Sequence, residues 1–323
     1  MPARLSRPPS PRPTASATLG SRALRLKAAV LPPPAERADS ARSERRDGAD
    51  REVGEDRPKA GAARAHAPLS SYGEGKPVTS PRLVPPSSLS AVRAIRHGRS
   101  TANLAFAEAE RTGATGLPVS GVDRDVPLSR SGIDQARALG RWWSHLPPGH
   151  QPDLVVCSPY ERAMRTWQEM ARTAADVVDV ETVVDERLRD REMGVYELYT
   201  PAALRARSPE EADRRERVGE WHYRPPGGEA MTDVAVRVGQ FLTDLDRAAQ
   251  GRSVLIVAHD AIVIALRHVL GGIGAVAPGR LPPVPNASVS TWENRGGRLA
   301  LTSWGDTRHL TRPTTPTKET PHR

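Results

Sequence analysis

The segment AVRAIRHG, residues 91–98, places an apolar run directly before an arginine, a histidine and a glycine. A short apolar run of this kind is typical of a buried β-strand. Two further stretches have the same form: DLVVC at 153–157 runs into SPYER, and VLIVA at 254–258 runs into His259 and Asp260. Each of the three predicted strands therefore ends in polar residues that a binding or catalytic site can use.

Helical patterns alternate with these strands. Ser129 to Leu146 carries apolar residues at helical spacing behind a serine cap, and a Pro-Pro-Gly sequence ends it. Helices are also predicted over Tyr160 to about Ala174, residues 234–245 and His259 to Leu270. The highly charged region 201–221 is expected to be helical as well. Additional strands are predicted over residues 177–184, Ala287–Trp292 and Leu299–Thr302, the last two as an antiparallel pair. The alternation predicts an α/β fold, a three-layer α/β/α sandwich with a mainly parallel central sheet.

Positive charge is concentrated in the N-terminal third. Residues 1–90 contain 16 Lys and Arg against 9 Asp and Glu, whereas the whole chain has 47 against 38. This third is also rich in Pro, Ala and Ser and lacks sustained apolar periodicity, so it cannot bury enough apolar surface to offset chain ordering. We therefore predict a disordered extension over 1–87, a folded domain over 88–308 and a flexible tail over 309–323.

Several classes of protein are disfavoured by composition. The acidic residues of the extension and its scarcity of aromatic residues argue against a nucleic-acid partner. Cys157 is the only cysteine, which excludes an intrachain disulfide and favours a reducing, cytoplasmic location. The most apolar stretch, 254–270, is too short and too polar to cross a membrane, and no secretory signal is recognisable. The nine histidines lack paired metal-ligand spacing, so neither a metal nor a cofactor is expected.

The polar strand ends predict a cationic pocket. In open α/β sheets, ligands bind outside the carboxyl ends of the strands, beside helix N-termini that favour anions. Arg96, His97, Arg162 and His259 would all reach this edge of the sheet. Two histidines and two arginines in one place suit a phosphoryl group.

The motifs, taken in order, resemble the histidine phosphatase superfamily, also called the phosphoglycerate mutase-like family. The resemblance covers almost all of residues 90–305 and rests on these motifs: Arg96-His97-Gly98 with Asn103; Asp125-Val126-Pro127-Leu128-Ser129 with Gly132; Ser158-Pro159 with Arg162; Leu188, Asp190 and Gly194; Pro225-Pro226-Gly227-Gly228-Glu229; and His259. It implies a phosphoglycerate mutase-like fold and phosphoryl chemistry.

The resemblance also implies roles for individual residues. His97 would attack phosphorus and form a phosphohistidine, while Arg96, Arg162 and His259 stabilise the charge of the transition state. Four more positions are expected to contact phosphate or substrate: Asn103, Arg99, Asp260 and Ala261. Arg99 stands where relatives often have Glu or Gln, and Asp260 where they more often have Gly.

A leaving alkoxide needs a proton, so a general acid is expected. Asp190 occupies the position where many relatives have Glu, and it is the candidate that the resemblance favours. Glu192 and Glu186 lie close by in sequence and stay open as alternatives.

These observations lead to a functional hypothesis. We expect a phosphomonoester hydrolase acting on a small phosphorylated substrate, with mutase-type phosphoryl transfer as one alternative and non-catalytic binding of a phosphorylated ligand as another. The charged segment 201–221 is expected to form a cap. Trp221, His222, Tyr223 and Arg224 then either approach the pocket from that cap or only pack within it.

Overall fold

The computed structural model describes residues 83–147, 149–174 and 180–311. Six strands are present in these residues: β1 Ala91–Arg96, β2 Leu154–Cys157, β3 Glu181–Val184, β4 Ser253–Ala258, β5 Val289–Asn294 and β6 Leu299–Asp306. The described α-helices are α1 Thr101–Thr112, α2 Arg130–Ser144, α3 Glu161–Thr173, α4 Pro201–Arg207, α5 Pro209–Val218, α6 Met231–Ala248 and α7 Asp260–Leu270.

The strands form one mixed sheet in the order β3-β2-β4-β1-β5-β6. The first four in that order pair in parallel, whereas β5 runs antiparallel to β1 and β6 antiparallel to β5. This arrangement confirms the predicted α/β fold, with its mainly parallel sheet and its final antiparallel pair.

Strand β4 shows why the sheet sits in the middle layer. Its six residues are all buried, as expected of a parallel strand covered on both faces. Val254, Ile256 and Ala258 join the apolar core on the side of α6 and α7, while Leu255 and Val257 join the core on the side of α2 and α3. The alternation of side chains along a strand therefore divides one apolar run between two helical layers.

Four of the five predicted helices are confirmed with small shifts at their ends, whereas the segment 201–221 contains two helices, α4 and α5, because Pro209 begins a new helix after Ser208. α2 begins after Ser129, whose hydroxyl accepts a hydrogen bond from Gly132 N at 3.1 Å. Helix α1 was not predicted, although Ser100 and Asn103 form a capping box at its start. None of the helices in the described residues is long and apolar enough to cross a membrane.

The edges of the domain differ from the prediction by a few residues. Leu83 N donates to Ile273 O at 3.2 Å, and Ser87 Oγ donates to Asp246 at 2.7 Å, so residues 83–87 contact the folded part. At the other end, the His309 ring is hydrogen-bonded to a backbone carbonyl. The remainder of the predicted extension and tail, and the start of the strand predicted over 177–184, lie outside the described residues.

Candidate active site

The three polar strand ends meet at one edge of the sheet. His97 follows β1 and continues its pairing with β4, because its backbone nitrogen donates to Ala258 O at 2.9 Å. His259 follows β4, and the two imidazole centroids are 5.2 Å apart. Arg162 reaches the same place from the first turn of α3. All three side chains are buried, so the structure assembles the predicted cluster.

The ring of His97 has a defined orientation. Its Nδ1 lies 2.8 Å from Gly98 O, and because a carbonyl can only accept, Nδ1 carries the hydrogen. Nε2 therefore holds the lone pair, and it accepts from Arg162 Nε at 3.2 Å. Burial, and then the charges of Arg162, His259 and Arg96, hold the pKa of His97 well below its usual range. The ring is thus neutral near pH 7, as a nucleophile requires.

Close backbone contacts fix the loop that carries His97. A Cβ atom on Gly98 would lie 2.5 Å from Gly132 O, and one on Gly132 would lie 2.1 Å from Arg99 O. Gly98 N also donates to Thr166 Oγ1 on α3 at 3.0 Å. Glycine is therefore required at both positions, since any side chain would push the loop away from α2.

Arg162 links the nucleophile to two carboxylates. Its Nη2 donates to Asp190 Oδ2 and to Asp123 Oδ2, each at 2.9 Å, while its Nε contacts His97. Asp190 was predicted from sequence, whereas Asp123 was not. Asp123 lies only two residues before the Asp125 motif, and its carboxylate would have been a reasonable candidate on that ground.

The pKa values of the two carboxyl groups are shifted in opposite directions. Burial raises the pKa of Asp190, but His259 and Arg162 outweigh this effect, and the net pKa lies well below the ordinary value. Burial also raises the pKa of Asp123, and the neighbouring Asp190 adds to the rise, so the net pKa lies above the ordinary value despite Arg162. A shared guanidinium thus holds one strongly acidic and one weakly acidic carboxyl.

His259 and Arg96 each hold a buried nitrogen that lacks a hydrogen-bond partner among the described residues. His259 Nε2 is bonded to Ser158 Oγ at 2.7 Å, but its Nδ1, although 3.2 Å from Asp190 Oδ2, is not aligned with it. Arg96 Nη1 donates to Val284 O at 2.6 Å, and Nη2 lies 3.2 Å from Asp260 Oδ2. The nitrogen of Arg96 without a partner is therefore Nε. Unpaired buried nitrogens are costly, and the oxygens of a phosphoryl group would satisfy both.

A cavity of about 630 Å³ opens beside this cluster. Asp123 and Asp190, which both contact Arg162, line it together with Arg96, Asp260 and Ala261. The remaining wall comes mainly from two irregular segments, 190–201 and 281–285, which the sequence analysis did not connect with the site.

Other predicted residues lie elsewhere. Arg99 is exposed and does not line the cavity; only its backbone contributes, by contacting Gln135 and Ser129. Asn103 caps α1, and its Oδ1 accepts from Asn286 Nδ2 at 3.0 Å. Asn286 also donates to His97 O at 3.2 Å, so this unpredicted residue supports the nucleophile loop.

The alternative acids are not placed at the cavity. Glu192 pairs with Arg189 at 3.0 Å, and Glu186 lies 3.6 Å from Arg124 with two thirds of its side chain exposed. Neither side chain lines the cavity. Of the three acids considered from sequence, only Asp190 reaches the site.

The Pro-Pro-Gly-Gly-Glu motif supports the acid segment instead of forming the pocket. Glu229 accepts from Arg237 Nε and Nη2, each at 2.9 Å, and from Glu192 N at 3.1 Å. Gly194 has a φ of 56°, and a Cβ atom there would lie 2.1 Å from Pro226 O. The motif therefore holds the segment that carries Asp190.

The segment 201–221 is helical, as predicted, but its last residues pack within the domain. Trp221 lies against His268 with ring centroids 4.7 Å apart, and the Tyr223 hydroxyl donates to Glu211 at 3.0 Å. Neither these two residues nor His222 and Arg224 line the cavity. Trp221 and Tyr223 are buried and pack within the domain, whereas His222 and Arg224 are exposed.

Comparison with known protein families gives a match over most of the described residues. The model of the histidine phosphatase superfamily (branch 1) matches residues 93–307. A probable phosphoglycerate mutase of Enterobacter sp. (strain 638) is 31% identical over 195 residues, which are 58% of this chain and 86% of that protein. A 2,3-bisphosphoglycerate-dependent phosphoglycerate mutase of Methylorubrum populi is 33% identical over 160 residues, 46% of this chain and 70% of that protein.

Solved structures resemble the fold over the same region. The mycobacterial glucosyl-3-phosphoglycerate phosphatase in complex with VO3 has a TM-score of 0.54 and 25% identity, and covers 68% of this chain and 100% of its own. A phosphoserine phosphatase of Entamoeba histolytica has a TM-score of 0.53 and 22% identity, and the match covers 68% of this chain and 99% of that protein. The sequence relatives are thus named as mutases and these structures as phosphatases.

Proposed function

Because this chain belongs to the histidine phosphatase superfamily, we propose that it is a phosphomonoester hydrolase acting through a phosphohistidine on His97. The observation that carries the proposal is the neutral, buried ring of His97, with the lone pair of Nε2 directed at Arg162. A guanidinium beside a nucleophilic nitrogen provides the charge that a bound phosphoryl group needs.

In the first step, Arg162 Nε turns from His97 Nε2 to the phosphoryl group, and the Nε2 lone pair that it frees attacks phosphorus while the bond from phosphorus to the alcohol oxygen breaks. Arg162 and Arg96 donate hydrogen bonds to the phosphoryl oxygens, and His259 donates from Nδ1. Fixed donors of this kind stabilise the charge that the transition state spreads over the three oxygens. The unpaired nitrogens of Arg96 and His259 are available for this task without the loss of an existing bond.

Asp190 is the proposed proton donor. In the free site, Arg162 and His259 keep its carboxyl ionised. A bound phosphate dianion would draw Arg162 away and add negative charge, and both changes raise the pKa of Asp190 so that it enters the reaction protonated. It gives this proton to the alcohol oxygen. In the second step, it takes a proton back from the water that attacks the phosphohistidine and releases phosphate.

Phosphoryl transfer between positions of phosphoglycerate is the second candidate, favoured by the sequence relatives named as mutases. A mutase retains its phosphoryl group for a second substrate, whereas a hydrolase passes it to water. The scheme proposed above has no step that requires a metal or a cofactor.

One experiment tests both candidates on the full chain. Phosphate release from nitrophenyl phosphate is measured beside conversion of 3-phosphoglycerate to 2-phosphoglycerate in the presence of 2,3-bisphosphoglycerate. We expect phosphate release that is lost in His97→Ala, together with an acid-labile phosphoenzyme that the variant does not form. Activity that persists in His97→Ala would contradict the mechanism, and interconversion faster than phosphate release would assign the mutase reaction.

A further inference from the structure

We propose that the cavity beside His97 binds the alcohol portion of a phosphate monoester that is apolar and carries no second anionic group. This inference rests on the proposed hydrolase function and names its substrate class. It is carried by the composition of the cavity wall and by the way in which every arginine of that wall is paired.

The wall combines aromatic and aliphatic side chains with eight charged ones. The rings of Tyr196 and Tyr199 lie edge to face with centroids 5.6 Å apart, ahead of α4. The apolar lining residues are Phe106, Met193, Leu198, Pro201, Met231, Ile264, Leu281, Pro282, Pro283, Val284 and Pro285. The apolar part of this surface binds an apolar group of matching size most tightly, because such a group has no polar atoms that would lose their hydrogen bonds to water.

The arginines of the wall have acidic partners already. Arg96 lies 3.2 Å from Asp260. Arg191 lies 3.4 Å from Glu220, and Arg215 pairs with the same carboxylate. Arg191 is held further by backbone carbonyls that accept from Nε and Nη2. Within the described wall, a carboxylate or a second phosphate of the substrate would therefore have to compete with a resident carboxylate for any arginine.

Five acidic residues line the cavity: Asp123, Asp190, Glu197, Glu220 and Asp260. Arg162 pairs with Asp123 and Asp190, and the three arginines of the wall pair with Glu220 and Asp260. Four arginines thus face five acidic residues, and the carboxylate left over is Glu197, which forms no ion pair with any described residue. Burial, followed by the charge of Asp123, raises the pKa of its carboxyl. A second anionic group on the substrate would face this unpaired carboxylate, which is an effective way to reject it.

The backbone at Leu198 supports the same inference. Leu198 has a φ of 61°, in the left-handed region that disfavours a branched side chain, yet it is buried at the cavity wall. Its side chain packs with Ala102, Val126 and Phe106. Strain of this kind persists where the surrounding structure requires it, and here it places an apolar side chain next to the substrate space.

The test compares three alkyl monoesters, so that differences in leaving-group acidity stay small: benzyl phosphate, 3-phosphoglycerate and phosphocholine. We expect kcat/KM for benzyl phosphate to exceed that for 3-phosphoglycerate by about tenfold or more, since one repulsive contact of about 1.4 kcal/mol has that effect. Phosphocholine tests whether the surplus of carboxylates selects a cation instead. A preference for phosphocholine over benzyl phosphate would overturn the apolar assignment.

Glu197 provides the matched variant. Glu197→Arg should raise kcat/KM for 3-phosphoglycerate relative to benzyl phosphate by about tenfold, and Glu197→Gln should shift it less in the same direction. Glu110→Arg makes the same change of charge on an exposed position of α1 outside the cavity wall, and should leave the ratio unchanged. Release from 3-phosphoglycerate as fast as from benzyl phosphate would overturn the substrate class alone. Absence of release from all three esters would overturn the hydrolase itself.

Discussion

Beside the phosphate end of the cavity, His97 and His259 each follow a buried parallel strand, and Arg162 lies in the first turn of the helix after β2. The opposite end, here called the alcohol end, is built from two mainly irregular segments, 190–201 and 281–285. The first end is held by main-chain pairing and by close glycine contacts. The second contains aromatic rings, prolines and a strained leucine. This contrast indicates that regular structure positions the residues for phosphoryl chemistry, while loops determine which alcohol the cavity accepts.

Arg162→Lys tests the phosphate end and has the largest expected effect. A lysine cannot contact His97 and two carboxylates together, because its ammonium lacks the planar set of donors of a guanidinium. We expect kcat/KM to fall by about 10²- to 10³-fold for every ester. Arg165→Lys is the control on the same helix, where the side chain pairs only with Glu169. Similar losses in both variants would show that α3, and not the position of Arg162, is responsible.

Asp190→Asn removes the proposed acid, and Asp123→Asn removes the same charge from the same guanidinium nitrogen. We expect Asp190→Asn to lower kcat for benzyl phosphate by about 10²-fold and to affect nitrophenyl phosphate far less, because an aryl oxide leaves without a proton. Asp123→Asn should mainly lower KM, since phosphate then meets less competition for Arg162. Equal losses on both esters in Asp190→Asn would contradict its assignment as the acid.

The pH dependence of stability tests whether His97, at the phosphate end, is buried in its neutral form. Burial, and then Arg162, lowers the pKa of His97 below that of an unfolded histidine, about 6.5. The unfolded chain therefore binds the proton more readily, and stability is lost as the pH falls below that value. His97→Ala should make the acid-side loss of the free energy of unfolding shallower, as measured by urea unfolding between pH 7.5 and 5.5. A steeper loss in the variant would refute the neutral, buried state of His97.

The sequence predicts the phosphate end well because its physical signals are local. An apolar run followed by a polar residue marks a strand end, and strand ends of a parallel sheet meet, so Arg96, His97 and His259 could be placed without coordinates. Asp123 was missed because its role depends on a contact with Arg162, 39 residues away in sequence.

The alcohol end is less predictable for a related reason. Residues 281–285 carry no strand or helix period, so nothing in their sequence shows which surface they cover. Arg99, in contrast, was predicted to contact substrate but does not line the cavity. It lies two residues after the nucleophile in sequence, but its side chain is exposed, because the loop at Gly98 packs its backbone against Gly132. Neighbours in sequence and neighbours in the site coincide only where the backbone is regular.

Leu198→Gly tests the alcohol end and has the smallest expected effect on activity. Glycine adopts a φ of 61° freely, so relief of strain, about 1–2 kcal/mol, should offset much of the 1.5–3 kcal/mol lost with the buried side chain. We expect kcat/KM for benzyl phosphate to fall a few-fold while that for 3-phosphoglycerate is unchanged. Ala287→Gly is the stability control, because Ala287 has a φ of 57° and little side chain to lose. If Leu198→Gly slowed both esters equally, the leucine would support the phosphate end, and the division between the two ends of the cavity would fail at this residue.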